Sequence, residues 1–448
     1  MRQSISIRFW LAGLVFLLLG TSTACVAVFH KFPYTNKQAS SDTKPSHANY
    51  EIGDKEKEDK TFIGLALSGG GSRAAIFSTA VMLELKRLGI LDKVDFISSV
   101  SGGSLPAAYY ALGGKFDDLE VLEKMGLNFQ ARWLGRWFLP QNIVRYWFAD
   151  LTRSDIMVQV FDNNLFHGAT YAALKDTGPK LLINATDAGK FDKFTFTDES
   201  FNQIRSDLGS YSVARAVNVS SAFPGVFQSV PLQNFHELTW LHLYDGGPVD
   251  NLGLTTLVDV LLHGICDGAI SDQVTTQQVI SQKTISAQTV CQAGKTPIPI
   301  ATLFPKGCVL IAVDATPRGR SHDLEHAHAR RYTDYIFDRD FLNATDVMLL
   351  STRREVLESV GIKKEEIDKI IIWTYSLPGE NGSCQIWHLA LRQLPEGDPL
   401  GDRVTKIETS FGIETEEQKE LILAAKRLVN QGTKDPKIGF LFSDLKSK

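Results

Sequence analysis

The sequence predicts an α/β fold with a central, largely parallel sheet and a serine nucleophile elbow. Three observations carry this. Short apolar runs recur along the chain and alternate with helix-like stretches, the pattern of strand–helix–strand units. Two of those runs end in glycine- and serine-rich turns that lead straight into helices. The composition is that of an ordinary globular protein, 44% hydrophobic and 22% charged, over 448 residues.

The elements follow in order. Residues 62–67 form an apolar run without polar alternation, the mark of a strand buried on both faces. Ser68-Gly69-Gly70-Gly71-Ser72 is the first turn, and residues 73–88 place Phe77, Val81, Leu85 and Leu88 near one helical face. Residues 94–99 read as a second strand, Val100-Ser101-Gly102-Gly103-Ser104 as the second turn, and 105–112 as a helix. Further strands are expected at 181–185, 194–196, 309–313, 370–373 and 386–391. Near the end, Thr415 and Gln418 have capping-box spacing before a helix over 416–430 that Gly432 stops.

The N-terminus has a different character. Arg2 and Arg8 precede an apolar run over 9–19, then small residues and Cys25, the order of a secretory signal. Three readings stay open: a signal cleaved so that Cys25 is lipidated, an uncleaved anchor over 9–29, or plain secretion. A span needs ~20 residues, which 9–29 supplies. Each reading places the folded domain in the cell envelope or beyond it, outside the cytoplasm. Residues 31–60 are polar and poor in large apolar side chains, as in a flexible tether. The organisation expected is a signal or anchor over 1–30, a linker over 31–60 and one domain over 61–448, with a motif core at 61–253. Residues 267–307, rich in Gln, Ser and Thr, read as a surface insertion that Cys291 ties down. Cys266, Cys291, Cys308 and Cys384 allow two disulfides in three connectivities, or ordinary buried thiols.

Several function classes fall away. A net charge of −4 gives no overall attraction to nucleic acid, and no nucleic-acid-binding motif is present. No CxxC pair occurs. A P-loop needs Lys before Ser or Thr after its last glycine, whereas Ser72-Arg73 follows here, and a dinucleotide fingerprint lacks its third glycine. No cofactor is called for. His322, His326 and His328 cluster with metal-compatible spacing but read as a solvated polar segment, so no metal is expected either.

What remains is nucleophilic chemistry. A serine on a sharp strand-to-helix turn projects its hydroxyl and lets the next amide bind an oxyanion. Ser101, followed by Gly102 and Gly103, fits that description. Gly69-Gly70-Gly71 offers unhindered backbone N–H groups for the same oxyanion. His242 lies close to Asp245 but alternates with Leu241 and Leu243, as a strand histidine would. His388 is isolated, and Asp250 is a rival carboxylate without a following Gly-Gly.

Residues 62–73 with 99–103 resemble the patatin-like phospholipase family, which joins a strand, a G-G-G-x-R/K loop and a helix to a G-x-S-x-G elbow. Asn184-Ala185-Thr186-Asp187 with Phe194-Thr195-Phe196 is similar to its central hairpin. Residues 214–227 resemble the segment before its aspartate, and Asp245-Gly246-Gly247 is similar to its D-G-[GA] motif. Ser99 departs from the first glycine of the elbow, and Ala74 from a common glycine after the arginine.

The resemblance implies a patatin-like three-layer fold and a Ser–Asp dyad without histidine. Ser101 would be the nucleophile, Asp245 the base, Gly69, Gly70 and Gly71 the oxyanion donors, and Arg73 the support of their loop. The substrate implied is a membrane lipid or lipid ester, met at a membrane surface. An acyltransferase on the same site and a catalytically silent lipid-binding protein are the alternatives. The basic aromatic stretch over 129–148 suits a membrane interface, an acyl-chain entrance, or core aromatics with surface arginines.

Overall fold

The computed structural model describes residues 34–53, 61–149, 151–268, 291–292, 296–318, 339–377 and 382–445. The N-terminal segment with Cys25, most of the expected insertion over 267–307, and the cluster His322, His326 and His328 lie outside these residues. Among the described residues no helix is long and apolar enough to cross a membrane.

Among the described residues, nine strands form one mixed sheet. In chain order they are β1 (Thr61–Leu67), β2 (Phe96–Val100), β3 (Lys180–Asp187), β4 (Asp192–Thr195), β5 (Val230–Asn234), β6 (Thr239–Asp245), β7 (Gly307–Asp314), β8 (Ile372–Ser376) and β9 (Ser383–Ala390). Their spatial order is β5-β6-β3-β2-β1-β7-β9-β8, with β4 pairing β3. The middle of the sheet, β3-β2-β1-β7-β9, is parallel, while β4, β5, β6 and β8 run antiparallel to their neighbours.

The helices that matter for the site are α1 (Gly71–Arg87), α2 (Ser104–Ala111), α3 (Phe129–Trp137), α4 (Pro140–Phe148), α5 (Val213–Ser220), α6 (Leu254–Ile265), α7 (Arg339–Ser359) and α8 (Thr415–Gly432). Strand alternation divides the apolar side chains between two cores. Ile63, Leu65 and Leu67 of β1 join the core that holds α1, α5 and α8, whereas Phe62 and Ala66 join the one against α6 and the last turns of α7. The uninterrupted apolar run of β1 is therefore what a central strand of a three-layer α/β fold requires.

Two expectations need correction. Residues 34–53, expected as part of a free tether, lie packed on the body. Asn36 and Ala48 are buried, and the N–H of Ser46 donates to Asp198 at 2.8 Å. The Asn36 amide donates to the Gln233 carbonyl at 2.9 Å and accepts from the Gln233 N–H at 2.8 Å. Their polar composition reflects side chains bonded to distant backbone. The capping box of α8 is also displaced by one residue. The Glu417 carboxylate accepts from the Glu414 N–H at 2.9 Å. Gln418 instead donates to the Gly126 carbonyl at 3.3 Å.

Both disulfides form. Cys266 at the end of α6 bonds Cys291, and Cys308 on β7 bonds Cys384 on β9. The first fastens the far end of the expected insertion to the body, and the second links two neighbouring strands.

Candidate active site

Ser101 follows β2 directly. Val100 is still extended, and Ser101 then turns with φ at 49°, a left-handed conformation that L residues avoid. Such a residue costs on the order of 1 kcal/mol and persists only where its surroundings hold it. Here they do. The Ser101 N–H donates to Oγ of Ser220 at 2.8 Å, and that hydroxyl donates to the Asn184 carbonyl at 2.6 Å. The Ser104 hydroxyl reaches the same Oγ at 3.3 Å. Asn184 is itself saturated. Its amide donates to Ser98 at 2.9 Å and to the Ser99 carbonyl at 3.1 Å, and its oxygen accepts from Thr195 and Thr256 at 2.9 and 2.7 Å. A fully satisfied buried network of this kind fixes one geometry. Ser99, the departure from glycine, lies inside β2 with negative φ, so the turn does not need a glycine there.

The two turns touch backbone to backbone. A Cβ on Gly102 would run into the carbonyl of Gly71, and one on Gly103 would stand 2.6 Å from the Ser68 carbonyl. Gly70 and Gly71 have φ of 134° and 59°, which glycine alone adopts freely.

The three glycines are not equivalent as donors. The Gly69 N–H donates to the Asn251 carbonyl at 3.0 Å, so it is already spent. Those of Gly70 and Gly71 have no acceptor among the described residues. The Gly69 N–H, expected as a third donor, is therefore engaged within the protein.

Arg73 is buried rather than a surface cation. Its Nε donates to the Ala315 carbonyl at 2.8 Å, and its guanidinium also reaches the Ile407 carbonyl at 2.6 Å and the Thr409 hydroxyl at 3.0 Å. The Ser72 N–H donates to the Ser410 carbonyl at 2.7 Å. The glycine loop is thus pinned from below by the end of β7 and from the side by residues 407–410. That second support was not legible in sequence, because it comes from more than three hundred residues away.

Asp245 is the last residue of β6. On β3, which lies between, Asn184 pairs with Val100 and Ala185 pairs with Asp245. One residue of register therefore brings the end of an antiparallel strand level with the elbow. Asp245 is buried and accepts from the Gly247 N–H at 2.8 Å, with the Ser101 hydroxyl near enough to act on its ionisation. Burial pushes its carboxyl up to about 6, against the lowering effect of the Gly247 N–H and the Ser101 hydroxyl. The Asp245 N–H is held by the Ala222 carbonyl at 3.1 Å, just beyond α5.

The rivals are placed elsewhere. Asp250 spends both oxygens on the start of α6, accepting from the N–H groups of Leu252, Gly253 and Thr255 and from the Thr255 hydroxyl. His242 points away from the Asp245 face of β6 and is exposed. His388 is buried against Asp314, 3.0 Å away, and Asp314 also pairs with Arg353 of α7. Among the described residues no cluster of His, Cys, Asp or Glu is arranged to hold a metal ion.

Comparison with known proteins bears on this arrangement. The family model described as Patatin-like phospholipase matches residues 65–258, which include both turns and Asp245. No curated protein sequence matches the chain. Among solved structures, human GIVD cytosolic phospholipase A2 is 12% identical with a TM-score of 0.45, over 89% of this chain and 64% of that one. VipD from Legionella pneumophila is 12% identical with a TM-score of 0.34, over 91% of this chain and 72% of that one. Residues 65–258 thus form a patatin-like phospholipase domain by the family model that matches them.

Proposed function

We propose that this protein is a serine hydrolase that cleaves fatty-acyl ester bonds of lipids through Ser101 and Asp245. The observation that carries the reading is the sheet register, which brings the buried carboxylate at the end of β6 level with a serine held at positive φ at the end of β2. Asp245 takes the Ser101 proton as Oγ attacks the ester carbonyl. The proton then passes to the departing alcohol, and water attacks the acyl-enzyme by the reverse route. A carboxylate is a weak base for an alcohol. Its raised pKa brings it closer to the task, and the free N–H groups of Gly70 and Gly71 stabilise the oxyanion. Arg73 holds those donors in place.

The substrate class is a lipid ester at a membrane surface. The protein acts in the cell envelope, held there through a lipid on Cys25 or the apolar segment at 9–29. Two disulfides support an oxidising compartment. A fluorophosphonate probe tests the site. It labels Ser101, and Ser101→Ala loses both labelling and ester hydrolysis. Labelling of another serine, with hydrolysis intact in Ser101→Ala, overturns the assignment.

A further inference from the structure

The segment after α2 carries an unusual surface. Helix α3 buries Phe129 and Trp133 in the core, but α4 buries only Asn142, whose amide donates to the Arg136 carbonyl at 2.9 Å. Its outward face is apolar. Ile143, Val144, Trp147 and Phe148 fall on one side at helical spacing and are 38%, 57%, 63% and 64% exposed, and Phe138, just before the helix, is 70% exposed. Large apolar residues clustered in this way mark an interaction surface.

Within residues 126–149 the charges are of one sign, and Asp150 follows directly. Residues 126–149 contain Arg132, Arg136 and Arg145 and no Asp or Glu, in a chain whose net charge is −4. Arg132 and Arg145 are exposed. An apolar face with aromatic rings and flanking arginines is the complement of an anionic lipid interface.

The surface is also joined to the proposed site. Ring contacts run from Tyr146 to Trp137, Trp133, Phe227 and Phe411 at centroid separations of 4.8, 5.1, 5.8 and 5.5 Å. The Gln130 N–H at the start of α3 donates to the Phe411 carbonyl at 3.0 Å, and the neighbouring Ser410 carbonyl holds Ser72 of the glycine loop.

We propose that the outer face of α4, with Phe138, is the surface by which the domain seats itself on an anionic lipid bilayer. The side chains of Val144, Trp147 and Phe148 enter the acyl-chain boundary, and Arg132 and Arg145 lie at headgroup level. The aromatic line then joins that face by ring packing to the segment that holds Ser72 of the glycine loop. This inference rests on the lipid-hydrolase reading, of which it specifies the orientation.

The test uses the full chain reconstituted in phosphatidylcholine–phosphatidylglycerol vesicles, with brominated acyl chains as quencher. Trp147 is expected to contribute a quenched component that Trp147→Phe removes. A Trp147 component that bromolipid does not quench overturns the proposal, and a dimer in sedimentation lost in Trp147→Ser would then assign the face to a second copy.

Val144→Ser with Phe148→Ser is expected to lower turnover of a vesicle-borne ester roughly tenfold or more while leaving a soluble short-chain ester unchanged. Equal turnover of the vesicle-borne ester by this variant and the wild type also counts against it. Quenching of Trp147 without hydrolysis of either ester by the wild type would uphold the surface and sink the hydrolase reading.

Discussion

Ser101 and Asp245 are both buried and are brought level by the register of β3, and each is held in a state it would not adopt alone. Ser101 is held at φ 49°, and Asp245 is 5% exposed with its carboxyl raised to about 6. Strain of this kind at a reactive pair is removable by mutation, at the expense of chemistry.

Asp245→Asn is expected to lower ester turnover by about 10²–10⁴-fold, because an amide cannot take the serine proton. It is also expected to stabilise the fold at pH 7. A carboxyl raised from 3.8 to about 6 on folding loses stability as pH climbs through that interval, and the deficit is complete above it. Two units correspond to about 3 kcal/mol as an upper scale. Urea unfolding at pH 4 and pH 7 measures this. The variant's advantage should be present at pH 7 and nearly absent at pH 4.

The same raised carboxyl sets a pH profile. Asp245 acts as a base only when ionised, so kcat/KM on a soluble ester is expected to fall about tenfold per pH unit below about 6 and to level off above it. A rate–pH curve from 4.5 to 8 decides. A flat profile through 6 removes Asp245 from the role.

Ser101→Gly and Gly102→Ala are expected to move stability in opposite directions. Glycine adopts φ 49° freely, so Ser101→Gly should be about 1 kcal/mol more stable than Ser101→Ala, with both inactive. Gly102→Ala forces a methyl group into the Gly71 carbonyl and should cost ~1–3 kcal/mol. It should also lower kcat by displacing the oxyanion donors. Thermal melts and ester kinetics on the three variants test both halves.

Asp314 predicts acid sensitivity of another kind. Burial works to raise its carboxyl, but Arg353 and His388 together hold it far below the usual carboxylate range. The contribution is present in full above the unfolded carboxylate pKa of about 4 and is lost as pH falls below it. Asp314→Asn leaves the buried Arg353 guanidinium with only the more exposed Asp368 as partner and should cost up to ~3 kcal/mol at pH 7, measured by urea unfolding.

Most of the catalytic geometry was legible because it is local. Ser101-Gly102-Gly103 and Gly69-Gly70-Gly71 sit at the ends of strands whose apolar runs announce them. What was not legible is long-range. The Asn251 carbonyl that occupies Gly69, and the Ser410 carbonyl that holds Ser72, come from distant parts of the chain. β5 was missed because it is an edge strand with mixed exposure, and β6 showed only as the alternation of Leu241, His242 and Leu243. Asn184 shows the converse. A polar residue inside an apolar strand was visible in the sequence, but its task as the hub behind the elbow appears only when Ser98, Thr195, Thr256 and Ser220 surround it.

The strap over 34–53 has a consequence for aggregation. β5 is the outer strand of the sheet, and an uncovered edge offers its backbone to any other chain. Asn36 closes that edge like a short false strand, its amide matching both backbone groups of Gln233, while the Thr35 N–H takes the Pro231 carbonyl at 3.2 Å. Pro231 completes the protection, because it has no N–H to leave unpaired. A protein trimmed to residue 61, where the motifs begin, would keep every reacting group and expose a sticky border. Its expected failure is intermolecular strand pairing and precipitation rather than loss of chemistry.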